Sequence, residues 1–92
     1  MQIREIILWD LSADRLHEME ANLKKAMRQL GISAIVQLNS EEPLLSRHHL
    51  LGHTPAVQVN GGQMWRLTPG VVISEENFRG LLTMLMKEKN SC

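Results

Sequence analysis

The chain has 92 residues, 43% of them apolar, which fits one globular domain. Its ten basic and ten acidic residues cancel, and Trp9, Trp65 and Phe78 are its only large aromatics, so a nucleic-acid platform of cationic or base-stacking type is not expected. The single cysteine, Cys92, is the last residue, which excludes an intrachain disulfide and a cysteine-rich zinc site.

Ile3 to Trp9 reads as the first strand. Its run Ile6-Ile7-Leu8-Trp9 is continuous rather than alternating, the pattern of a strand covered on both faces. Ser12 then suits an N-cap, and Asp14 sits in the first turn of a helix predicted from Ala13 to Leu30. Leu16, Met19, Leu23, Ala26, Met27 and Leu30 recur at steps of three and four and form one apolar stripe. Gly31 can take the positive φ that ends a helix. Ser33 to Leu38 reads as a second strand, parallel to the first because a helix joins them.

Between Asn39 and Gly52 the sequence predicts a short helix, capped by Ser40 or Glu42, with Leu44, Leu45, His48 and Leu51 inward. Ala56 to Val59 and Gln63 to Leu67 flank Asn60-Gly61, the strongest short-range hairpin signal, and Gly62 makes room for a bulge. Ser74 caps a last helix in which Phe78, Leu81, Leu82 and Leu85 share a face. The expected fold class is α/β, in the order β-α-β-α-β-β-α, with a mixed four-stranded sheet and helices on both faces. Residues 1–89 would form the domain and 90–92 a frayed tail.

Three stretches carry a family resemblance: Glu20-Ala21-Asn22-Leu23-Lys24-Lys25-Ala26-Met27 ending at Leu30-Gly31-Ile32, Thr54-Pro55-Ala56-Val57-Gln58-Val59-Asn60-Gly61, and Ser74-Glu75-Glu76-Asn77-Phe78. With this element order they resemble the thioredoxin/glutaredoxin fold, and more closely the small thioredoxin-like proteins called redox-active disulfide proteins. The resemblance spans Ile3 to about Met86 and implies a cis Thr54–Pro55 bond. It also implies Cys-x-x-Cys where the first strand meets the first helix. Those positions are Ala13 and Leu16 here, and no cysteine precedes residue 92. Disulfide exchange needs a thiolate, so the family's oxidoreductase activity is not expected.

Other chemistry is weighed residue by residue. Ser12 could hold a thiolate such as that of glutathione, but helix capping accounts for it fully. His48, His49 and His53 lack the acidic or sulfur ligands that would complete a metal site, so no metal or cofactor is expected. Trp9 would either anchor a partner or pack in the core. Trp65 would mark a dimer surface at the sheet edge or pack on the last helix, and Met64, Met84 and Met86 read as core filler.

The function expected first is therefore non-catalytic: a redox-inactive adapter that binds a protein or extended peptide in the groove beside the cis-proline. Trp9, Asp10, Ser12, Arg15, Thr54 and Pro55 would line it, with Trp9 as anchor, the Thr54 backbone pairing with the partner, and Asp10 and Arg15 selecting charge. A glutathione- or thiol-handling enzyme using Ser12 and a homodimeric structural protein joined through the edge strand are the alternatives. No membrane-length apolar run is present, and MQIREIILWD has charges and no small-residue cleavage site, so the expected location is the cytoplasm.

Overall fold

A computed structural model of the chain describes residues 2–41, 54–62 and 64–88. Its elements are β1 (Glu5–Trp9), α1 (Ala13–Leu30), β2 (Ile35–Asn39), β3 (Ala56–Val59), β4 (Met64–Arg66) and α2 (Glu75–Glu88). The four strands form one mixed sheet in the order β2-β1-β3-β4. β1 pairs in parallel with β2 and antiparallel with β3, and β3 pairs antiparallel with β4. The short helix expected between Asn39 and Gly52, and the tail 90–92, lie outside the described residues.

Strand limits differ slightly from expectation. β1 begins at Glu5 and β2 at Ile35 because these two form the first parallel pair. The Ile35 N–H donates to the Arg4 carbonyl at 2.9 Å just before that pair. α1 runs as the stripe and caps dictate. Ser12 is in extended conformation and its side chain accepts from the Arg15 N–H. Gly31 adopts φ 70°, which lets the Ile32 N–H reach the Met27 carbonyl at 2.9 Å and close the last turn.

Side chains of β1 and β3 alternate between two faces of the sheet. Ile6, Leu8, Val57 and Val59 join Leu16, Met19, Leu23, Phe78, Leu82 and Leu85 in the main core. Both described helices thus cover this one face. Phe78 is the largest fully buried side chain and locks α2 against this core. Trp9 and Ala56 form a separate buried cluster, with Ile7 and Met64 packed against it. Trp65 packs on the main core although β4 is an edge strand. Met84 and Met86, expected as core filler, are exposed, at 43% and 38%.

Asn60 ties the chain start to the hairpin. It occupies φ 54°, a conformation asparagine tolerates better than most residues. Its Oδ1 accepts from the N–H groups of Arg4 and Glu5 at 2.8 and 3.0 Å, and its Nδ2 donates to the Gln2 carbonyl at 2.8 Å.

Candidate functional site

The candidate site lies at the end of the sheet where β1 stops, α1 starts and β3 begins. The pairing of Trp9 with Ala56 brings Asp10 and Thr54 to the same end. The Asp10 N–H donates to the Asn39 carbonyl at 3.2 Å, so the chain keeps strand-like pairing one residue beyond β1. Asp10 is fully buried.

Its carboxylate is held by a bidentate fork. Arg15 Nε donates to Oδ2 at 2.7 Å and Nη2 to Oδ1 at 2.8 Å. The Ser12 N–H donates to Oδ1 at 3.2 Å, and the Thr54 side chain also hydrogen-bonds the group. Burial works to raise the Asp10 pKa. Hydrogen bonds from Arg15 and Ser12, the Arg15 charge and Thr54 together outweigh it and hold the carboxyl below its ordinary value. The hydrogen bond to Asp10 raises the Arg15 pKa in turn. The pair is therefore ionised at neutral pH. It joins the strand end to the first turn of α1 with the planar geometry that suits arginine.

Ser12 is spent on structure. Its Oγ accepts from the Arg15 N–H at 3.3 Å, and its carbonyl accepts from the Leu16 N–H at 3.0 Å. An amide N–H can give a hydrogen bond but cannot take a proton, so this contact does not activate the hydroxyl. Ala13 is exposed at the first position of α1, and Leu16 is buried in the core one turn later. These are the two positions where the family resemblance implies cysteine.

The six expected groove residues are gathered here, at unequal depth. Trp9, Asp10, Thr54 and Pro55 are buried, and Ser12 and Arg15 are half-buried. Trp9 packs beneath the corner in its own cluster with Ala56. The Asp10 charge is spent on Arg15 and faces no solvent. Two guanidinium donors of Arg15 face Asp10, and the others make no hydrogen bond to a described residue. Thr54–Pro55 is cis, and the Thr54 carbonyl accepts from the Gly70 N–H at 2.9 Å. That bond brings the loop between β4 and α2 to the site.

Sequence reasoning missed what this loop and the corner expose. Leu11 is 47% accessible and Val71 is 53% accessible, each one residue from a group bonded into the site. Beside Val71 opens a cleft of about 440 Å³ with Leu67, Val72 and Ile73 as apolar lining and Thr68 and Asn77 as polar lining. The one signal in the sequence was an apolar residue directly after the turn Thr68-Pro69-Gly70. His48, His49 and His53 lie outside the described residues. Among the described residues, no helix is long and apolar enough to cross a membrane. Compared with family models, curated proteins and solved structures, the chain matches none.

Proposed function

We propose that the protein is a redox-inactive thioredoxin-like binding domain that holds an extended segment of a partner protein at this end of the sheet. The observation that carries the proposal is the cleft beside Val71, which mixes apolar Leu67, Val72 and Ile73 with polar Thr68 and Asn77 and is tied to Thr54 through the Gly70 amide. A cleft of that mixed lining suits a peptide side chain against its apolar residues and the peptide main chain against Thr68 and Asn77. Leu11 adds apolar area at the same end, and the outward donors of Arg15 are available to a partner carbonyl or carboxylate. The strand order, the parallel β1–β2 pair and the antiparallel β1–β3–β4 pairing support the thioredoxin-like assignment. The absence of cysteine before Cys92 supports the redox-inactive one.

The test is a displayed library of random linear peptides, panned on the wild type, on Leu11→Asp and on Val71→Asp. Both residues are exposed, so these variants keep the fold, whereas changing Arg15 would disturb the buried pair below. Selected peptides should bind the wild type and lose at least about tenfold in affinity for Val71→Asp, the loss of a well-placed apolar contact. Amide signals of Ser12 and Gly70 should shift on binding. A library that enriches nothing, or peptides that bind all three proteins equally, would refute the proposal. A Cys92→Ser variant should leave the rate of insulin reduction by dithiothreitol at background, and so should the wild type.

A further inference from the structure

We infer that α2 pairs antiparallel with α2 of a second copy of this chain, through the helix face that points away from the core. Glu76, Gly80, Thr83 and Lys87 follow steps of four, three and four, the spacing of a helix–helix seam. Gly80, Met84 and Lys87 are exposed and Thr83 is half-buried. With Leu30 at the end of α1, they line an open groove of about 600 Å³.

Gly80 is the informative residue. A glycine inside a helix is destabilising relative to alanine, because its backbone loses more freedom on folding. Here it has no internal reason to be there, because a Cβ at that position would meet nothing within 4 Å and its φ is not in the left-handed region. A bare backbone on an outer helix face lets another helix approach closely.

The charges say which helix. Glu76 at the start of the face and Lys87 at its end have no ion-pair partner among the described residues. A two-fold axis midway between residues 81 and 82 turns the seam onto itself. It sets Glu76 against the second copy's Lys87, and Gly80 against the second copy's Thr83. Both ends gain an opposite charge, and the centre pairs the two smallest side chains of the seam. Met84 flanks the contact and covers the exposed apolar area beside it. The surface is self-complementary, as a two-fold interface must be.

Sedimentation velocity in reducing buffer, so that Cys92 cannot cross-link the copies, should show a monomer–dimer equilibrium between micromolar and millimolar concentration. Lys87→Glu sets like charges together twice per dimer and should weaken association roughly tenfold or more. The double variant Glu76→Lys, Lys87→Glu restores opposite charges and should restore it. Gly80→Lys should abolish the dimer while raising the thermal stability of the monomer, a combination that a merely structural role for Gly80 would not produce. A wild type that stays monomeric throughout would overturn the inference. So would a dimer indifferent to Lys87→Glu and Gly80→Lys, which would point instead to the β4 edge.

Discussion

Replacing Arg15 with methionine keeps an unbranched stem but removes the charge that faces Asp10. The carboxylate, fully buried, would keep only the Ser12 N–H at 3.2 Å and the Thr54 side chain. Removing one partner of a buried ion pair typically costs about 3–5 kcal/mol. The Arg15 side chain is 32% accessible, so water reaches the vacated position, and about 2–3 kcal/mol is the better expectation. For a domain of this size that lowers the melting temperature by roughly 10–20 °C. The total stability is on the order of 5–10 kcal/mol, so the variant still folds. Urea unfolding at neutral pH measures the loss directly. The double variant Asp10→Asn, Arg15→Met no longer buries an unpaired charge and should recover about 2 kcal/mol of the summed single losses. The pH dependence has a definite sign. The folded-state pKa of Asp10 lies below its ordinary value of 3.8, so its stabilisation is fully present above that value and is lost as pH falls through the folded pKa. Arg15→Met leaves the carboxyl buried without its cation, which raises its pKa, so the gap between wild type and variant should narrow as pH falls and be smallest below the wild-type folded pKa. A neutral-pH loss under about 0.5 kcal/mol, or strict additivity in the double variant, would refute the pair as the element that holds the corner.

Other substitutions test the frame around the site. Ser12→Ala removes the cap of α1 and should cost about 1 kcal/mol in chemical denaturation, with no change in any peptide-binding footprint beyond what stability explains. Asn60→Gly keeps the backbone conformation but loses three side-chain hydrogen bonds, so a loss of about 1–3 kcal/mol is expected, and a neutral effect would mean the backbone angle alone matters. Gly31→Ala forces a methyl group onto φ 70° and should destabilise by about 1 kcal/mol, whereas Gly80→Ala should stabilise the monomer by a similar amount. Calorimetry of the two alanine variants side by side gives both signs in one experiment.

Much of the fold was legible because it is written in local patterns. The stripe from Leu16 to Met27, the Ser12 cap and the Gly31 stop set α1 at Ala13–Leu30 without reference to the rest of the chain. Asn60-Gly61 likewise announced the hairpin between β3 and β4. The site was legible only as a neighbourhood. Asp10 and Arg15 are five residues apart, one beyond a strand and one inside a helix, so no periodicity marks them as a pair. The burial of Asp10 depends on β3, more than forty residues away in sequence, arriving beside β1. Val71 and Leu11 were invisible for the opposite reason. A lone apolar residue in a turn belongs to no pattern, and its exposure follows only from the path of the loop. The outer face of α2 was overlooked because its glycine and charges look like ordinary solvent-facing composition until the emptiness above Gly80 is seen.

The three bonds of Asn60 reach back across 55 to 58 residues to Glu5, Arg4 and Gln2. In a chain whose only sulfhydryl is terminal, they act as a reversible staple that closes a loop of more than half the molecule. The neighbouring pair Ile6 and Val59 already closes that loop, so the three bonds extend the closure at little further entropy cost. The amides of Arg4, just before β1, and of Glu5, its first residue, are shielded for as long as the hairpin turn stays shut. Exchange at these two amides accordingly reports on the turn at Asn60, more than fifty residues away in sequence.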